Sequence, residues 1–219
     1  MTLLADLSIA TPAVECIELL PSGDIIFSST AGSACGQPAT THIWRIPMTN
    51  GAPTAPLQLI QVTANPVYGH VLKADSAGNI FAAGTCDQTS SVYYLPAGSG
   101  LAQNLNPTAP FNDPDGIALG SLPGFSSSVL FVAAQDQLYA MDVSNPASVT
   151  TTPVAVDLSA VGIPALGNWA GLCWDPNTQS LMGYRVGSPA SFETVELTTS
   201  AYPGMVPAAS LGNIGLEPL

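Results

Sequence analysis

Four stretches of the chain follow one plan, and this repeat constrains the fold more than any other feature. The first reads Glu15-Cys-Ile-Glu-Leu-Leu-Pro-Ser-Gly-Asp-Ile-Ile-Phe-Ser28, then a Gly/Ser/Pro loop, then His42-Ile-Trp-Arg-Ile-Pro47. The second reads His70-Val-Leu-Lys-Ala-Asp-Ser-Ala-Gly-Asn-Ile-Phe-Ala82, a loop, then Ser91-Val-Tyr-Tyr-Leu-Pro96. The third passes from Asp115-Gly-Ile-Ala118 through Val129-Leu-Phe-Val132 to Leu138-Tyr-Ala-Met-Asp142. The fourth passes from Ala170-Gly-Leu-Cys-Trp-Asp175 through Leu181-Met-Gly-Tyr184 to Phe192-Glu-Thr-Val-Glu196. Aligned on Asp24, Asn79, Ser128 and Ser180, the units are 55, 49 and 52 residues apart. The runs are rich in β-branched and aromatic residues, and turn residues bound them. Twenty Gly and twenty Pro leave no amphipathic helical pattern of useful length. A period of this size with several strands per unit predicts an all-β β-propeller with about four four-stranded blades.

The blade cores are expected at about 15–62, 69–105, 115–158 and 168–211, within a single domain spanning 1–219. Fourth strands fall at Leu57-Gln-Leu-Ile-Gln-Val62 and Val154-Ala-Val-Asp-Leu158, with weaker ones near residues 101–105 and 206–211. Residues 1–14 add an extra N-terminal strand, Leu3-Leu-Ala-Asp-Leu-Ser8. That surplus leaves three solutions open: a four-bladed ring with a spare edge, a fifth incomplete blade, or an arc completed by another chain. A β-sandwich with accidental likeness between hairpins is the competing fold. The recurring turn chemistry, Pro-Ser-Gly-Asp, Ser-Ala-Gly-Asn and Asp-Pro-Asn-Thr, argues against it.

Composition narrows the partners. Charged residues are 8% of the chain, against roughly 25% in an average soluble protein. The net charge is -12, and the only cations besides His are Arg45, Lys73 and Arg185. Nucleic acid and anionic membranes are therefore poor partners. No apolar run is long enough to span a membrane as a helix. The first ten residues lack the positive region of a signal peptide, and Asn106-Pro107-Thr108 is no usable glycosylation sequon. The uncharged, polar surface points to an extracellular or cell-surface setting. It also points to a homo-oligomer or larger assembly, with contacts expected on the N-terminal strand and on residues 205–219.

Four Cys occur without CxxC or metal-finger spacing. Cys35 and Cys86 occupy the same loop phase in the first two repeats, which makes them candidate disulfide partners. Cys16 and Cys173 share a phase on the inner strands, where they are expected as buried small apolar residues. A bond between those two stays open for a four-bladed ring. Trp174 is expected to pack between blades. Trp169, in a loop entering the fourth blade beside Asn168, is a candidate platform for a sugar or apolar ring. Neither the nucleophile elbow Gly-x-Ser-x-Gly nor a Gly-x-Gly-x-x-Gly phosphate loop is present.

The repeats resemble the SMP-30/gluconolactonase-like and NHL-type propellers. The resemblance lies in residues 15–28, in Lys73-Ala-Asp-Ser-Ala-Gly-Asn-Ile-Phe-Ala-Ala-Gly-Thr85, in Pro114-Asp-Gly-Ile-Ala118 and in Ala170-Gly-Leu-Cys-Trp-Asp-Pro176. Those propellers have six blades, and this chain has room for about four. Lactone hydrolysis in that family uses a divalent metal held by a Glu, Asn residues and an Asp in the central channel. The resemblance implies Glu15 as the Glu. Asp115 falls where an Asn-Gly pair is usual, His70 near another Asn position, and Asn168 and Trp169 just before the fourth. The acid expected after the third unit's second strand is replaced by Phe131-Val-Ala-Ala-Gln135.

The expected function is thus a non-catalytic propeller that binds a neutral glycan or small molecule, self-assembles through its uncharged surface, or does both. Glu15, His70, Asp115, Asn168 and Trp169 are the ligand-binding candidates, and no metal or other cofactor is expected. The alternative is an SMP-30-like enzyme acting on a lactone or similar neutral substrate, which would require a divalent cation.

Overall fold

The computed structural model describes residues 13–31, 40–54, 58–62, 71–83, 92–98, 102–105, 111, 114–122, 128–134, 137–146, 153–157, 168–186, 191–197 and 206–213. Every regular element among them is a strand. The first repeat supplies β1 (Ala13–Leu19), β2 (Ile25–Ala31) and β3 (Thr40–Ile46), a short ribbon of β4 (Met48–Thr49) and β5 (Ala52–Pro53), and β6 (Gln58–Val62). The second supplies β7 (Val71–Ala74), β8 (Ile80–Ala83), β9 (Tyr93–Leu95) and β10 (Gln103–Asn104). The third supplies β11 (Gly116–Gly120), β12 (Val129–Ala133), β13 (Leu138–Asp142) and β14 (Val154–Asp157). The fourth supplies β15 (Asn168–Asp175), β16 (Ser180–Val186), β17 (Ser191–Leu197) and β18 (Val206–Asn213).

Each repeat folds into a four-stranded antiparallel sheet whose strands lie in chain order, the arrangement of a propeller blade. The fold is all-β, as the repeat predicts. Residues 1–12, with the N-terminal strand expected at Leu3 to Ser8, lie outside the described residues, as do His70, Cys35 and Cys86. The strands gather into two compact units, Met1–Asn104 and Leu105–Leu219, each holding two repeats. In the first unit the two sheets stay separate. In the second, β14 and β18 pair in parallel through Val156↔Val206 and Asp157↔Pro207, joining both blades into one eight-stranded sheet. Nothing in the repeat pattern signals that join.

The turns explain the recurring sequence. In the first repeat Gly23 N–H donates to the Leu20 carbonyl at 2.8 Å, and Gly23 has φ +87°. In the second, Asp75 Oδ1 accepts N–H groups from Ala77 and Asn79, both at 2.9 Å, and Gly78 has φ +84°. A left-handed residue is needed there, and Gly supplies it without a Cβ penalty. The fourth repeat has a longer turn. Asp175 Oδ1 accepts Asn177 N–H at 2.9 Å, and Gln179 takes the left-handed position at φ 52°.

The aligned Asp24 and Asn79 share a second task. Met48 N–H donates to Asp24 Oδ1 at 2.7 Å, and Ala97 N–H donates to Asn79 Oδ1 at 2.9 Å. Each side chain thereby fastens the chain as it leaves the third strand of its blade, one residue beyond Pro47 or Pro96.

Each unit has its own core. In the first, Leu20, Ile26, Ile43, Leu72, Ile80 and Leu95 form one buried cluster between the two sheets. In the second, Val129, Phe131, Leu138, Val156, Leu172 and Leu181 do so. All five residues of β12 are buried, which is why that strand reads as a continuous apolar run. Each large buried side chain contributes about 1.5–3 kcal/mol from its removal from water.

A cleft beside Arg45 and the fate of the sequence candidates

The inner strands carry the sequence candidates. Glu15 is exposed and lies in a β-bulge, because β1 shifts register between Val14↔Ser29 and Cys16↔Ser28. A bulge adds one residue to one strand and re-aims its side chain. β15 has the corresponding irregularity between Ala170 and Leu172, with Gly171 at φ +62°. The main chain of Asp115 ties two strands: its N–H donates to the Ala133 carbonyl at 2.9 Å, and its carbonyl accepts Gly171 N–H at 3.3 Å. Glu15 belongs to the first unit and Asp115 to the second. Asn168 and Trp169 lie in strand β15, opposite Val186 and Arg185, so the loop position expected for Trp169 is corrected to a strand. The ladder pairing extends that strand two residues ahead of the Ala-Gly-Leu-Cys-Trp run. Among the described residues, no three His, Cys, Asp or Glu side chains gather as a metal-binding group.

The cysteines divide. Cys16 is half-buried between the first two blades, where its Sγ accepts Leu72 N–H at 3.3 Å. Burial pushes its thiol above the ordinary value, so it stays protonated at neutral pH and is a poor nucleophile. Cys173 is exposed, which corrects the expectation of a buried residue. Both are free thiols. Trp174 does pack between blades, stacking on Phe131 with ring centroids 5.0 Å apart and planes 23° apart.

A cleft in the first unit lies apart from the sequence candidates. It holds about 440 Å³ and opens between the first two sheets, at the turn end of their inner strands. Its apolar lining includes Leu59 together with Leu20, Ile60, Ile80 and Leu95, the last four being members of, or packed against, the unit's core cluster. Its rim is the β1–β2 turn, the β7–β8 turn and the segment after β9. Asp75 and Asn79 hold the β7–β8 turn and the segment after β9, and Gly23 N–H to the Leu20 carbonyl holds the β1–β2 turn, so the walls are pre-formed.

Arg45 is the charged residue of the lining. Its Nε donates to Asp24 Oδ2 at 2.9 Å, and its Nη2 donates to the same oxygen. Asp24 is buried and also accepts the Ser22 hydroxyl at 2.9 Å. The Met48 amide, together with the Arg45 guanidinium and the Ser22 hydroxyl, holds the Asp24 carboxyl below its ordinary range despite burial. It is ionised at neutral pH and neutralises Arg45. The Arg45 side chain keeps 40% of its surface in solvent. The available signal was Arg45 itself, one of three Lys and Arg residues in the chain and placed in a third strand just before Pro47.

No protein-family model matches the sequence, and no curated protein matches it. Solved structures do. A puromycin-hydrolyzing peptidase of Mycobacterium tuberculosis superposes with a TM-score of 0.53 at 12% identity, covering 91% of this chain and 29% of that one. A puromycin hydrolase mutant complexed with PGG superposes with a TM-score of 0.51 at 15% identity, with the same 91% and 29% coverage. This chain therefore spans less than a third of either structure. At these identities the likeness shows fold alone, an all-β, blade-built, propeller-like architecture.

Proposed function

We propose that the chain is a non-catalytic, propeller-like binding scaffold that takes a neutral small ligand in the cleft beside Arg45. The cleft carries this reading. Its volume lies within the roughly 300–1,000 Å³ of small-molecule sites, and it combines an aliphatic floor with the polar residues Ser22, Arg45, Gln58 and Ser76. Ordered turns form its rim, so little conformational freedom is lost on binding. Backbone amide spectra of the whole chain, recorded during a screen of neutral small molecules, test it. Shifts confined to Ile60, Gly78, Ala97 and their neighbours are expected. Shifts clustered instead around Glu15 or Asp115 would move the site to the inner-strand openings.

The SMP-30-like lineage belongs to this proposal, supported by the shared turn chemistry, and so does its enzymatic alternative. Lactone turnover on adding Ca²⁺ or Zn²⁺, abolished by Glu15→Gln and by Asp115→Asn, would replace the binding reading with the catalytic one.

Self-association is a second part of the reading, favoured by a separate observation. Among the described residues the exposed large apolar side chains are Val14, Ile17, Leu19 and Leu59, each 41% to 64% exposed. All four occupy one face of the first sheet. The register aligns Ile17↔Phe27, Phe27↔Trp44 and Trp44↔Leu59 across it, with Leu19↔Ile25 alongside. The bulge at Glu15 turns Val14 to that face, opposite Ser29. A second copy of the chain would cover it. Sedimentation is expected to show a dimer or larger species, dispersed by Ile17→Asp combined with Leu19→Asp. A monomer at all concentrations would remove this part of the proposal.

A further inference from the structure

We infer that the ligand of the Arg45 cleft is a small aliphatic molecule bearing one neutral hydrogen-bond acceptor, a carbonyl oxygen, and that Arg45 is its anchor. This rests on the binding reading above and narrows it by chemistry. A guanidinium carries five N–H donors in a fixed fork. Two of those on Arg45, one on Nε and one on Nη2, are taken by a single oxygen of Asp24. The Nη1 group and the second Nη2 proton have no partner among the described residues, and Arg45 lines the cleft. The fork is oriented in advance, because Asp24 is itself fixed by Met48 N–H and by the Ser22 hydroxyl.

The acceptor is neutral because the Arg45 charge is already balanced by Asp24, which stands behind it. A carboxylate guest would meet a compensated ion pair inside a chain of net charge -12. A cation finds no acid in the lining, and a sugar finds no aromatic face to stack on. The remainder of the guest meets Leu20, Ile60, Ile80 and Leu95, all aliphatic. A branched hydrocarbon of a few carbons suits that floor, because each buried methylene adds affinity.

Four probes with the 219-residue chain test this by amide chemical shifts: isovaleramide, isovalerate, isopentylamine and methyl β-glucopyranoside. Isovaleramide is expected to shift Ile60, Gly78 and Ala97 saturably and to bind more tightly than the other three. Arg45→Lys keeps the charge beside Asp24 but loses the fork, and it is expected to weaken isovaleramide about tenfold. The double variant Asp24→Asn with Arg45→Met removes both charges together and is expected to abolish the shifts. If the sugar, amine or carboxylate moves the same amides more tightly than the amide, the ligand class is wrong while the cleft remains a site. If no probe moves them, the cleft itself is not a binding site. Unchanged isovaleramide affinity in Arg45→Lys would remove Arg45 as the anchor.

Discussion

The two blade-to-blade seams, one in each unit, solve the same packing problem with different chemistry. Where β1 meets β7, side chains do the joining. Leu72 N–H donates to the Cys16 sulfur at 3.3 Å, and Lys73 Nζ donates to Glu18 Oε2 at 2.9 Å. Where β11 meets β15, the backbones themselves touch. Gly171 N–H donates to the Asp115 carbonyl, and a Cβ on Gly116 would lie 2.8 Å from Gly171 N and 3.1 Å from Leu172 N. Gly120 makes room for the Trp174 indole in the same way, with a Cβ there falling 2.7 Å from the ring. A repeat thus fixes the sheet but leaves the spacing between sheets to individual residues. Side-chain seams tolerate adjustment, whereas glycine seams do not.

The sharpest way to break this contrast is Gly116→Ala. The new methyl meets backbone on a neighbouring strand, which cannot rotate away as a side chain can. Overpacking of this kind typically costs 1–3 kcal/mol, and about 3 kcal/mol is expected here. Urea unfolding of Gly116→Ala should show the lowered midpoint first in probes of the second unit, such as Trp174 fluorescence. A variant as stable as the parent would mean that β11 and β15 are further apart than the glycine contact implies.

Asp24→Ala comes next, at about 2 kcal/mol at neutral pH, because it leaves Met48 N–H and the half-exposed Arg45 without their acceptor. It also gives the first unit a pH dependence that the Gly116 seam does not share. The folded-state value of Asp24 lies below its ordinary 3.8, first through the Met48 amide and then through Arg45 and Ser22. A lowered carboxyl contributes stability that is fully present above about pH 4 and is lost as pH falls through the folded-state value. Acid titration of unfolding midpoints should therefore show a drop below pH 4 in the parent that is smaller in Asp24→Ala. Parallel acid profiles for the two proteins would count against the buried Asp24 network.

The same contrast separates what the sequence discloses from what it hides. Asp24 and Asn79 stand out on paper because turns and strand exits demand their residue types locally, and the structure gives both the same hydrogen bond. The continuous apolar run of β12 is legible for a similar reason, since burial on both faces leaves no alternation. The bulges at Glu15 and Gly171 are different. They become visible only as register shifts against a partner strand, and the flanking partners lie 11 to 15 residues away across a turn. The parallel β14–β18 join depends on two segments roughly fifty residues apart. The cleft hides for another reason: most of its rim is turn residues, Pro21, Ser22, Gly78 and Gly98 among them, whose types are already explained by the turns they make. Arg45 is the exception. An Arg in a strand of a chain this poor in charge asks for a partner, and Asp24 answers it from a turn position.

The smallest effect is expected at the first seam, in the pair Lys73 and Glu18. Both side chains keep part of their surface in water, 31% for Lys73 and 21% for Glu18, so solvent screens their attraction. Exposed ion pairs contribute about 0–1 kcal/mol, and Lys73→Met should cost about 0.5 kcal/mol. A double-mutant cycle with Glu18→Gln isolates the pair from the apolar contacts of the Lys73 stem. Its coupling should shrink further between about 0.05 and 0.5 M NaCl, because the screening length shortens from about 14 Å to about 4 Å. Cys16→Ala in the same background removes the sulfur that accepts Leu72 N–H and should add about 1 kcal/mol, independent of salt. If the Lys73–Glu18 coupling instead exceeded 2 kcal/mol and ignored salt, the seam would be as dry and unforgiving as the one at Gly116. The two units would then differ in residue type but not in the kind of contact that holds their blades together.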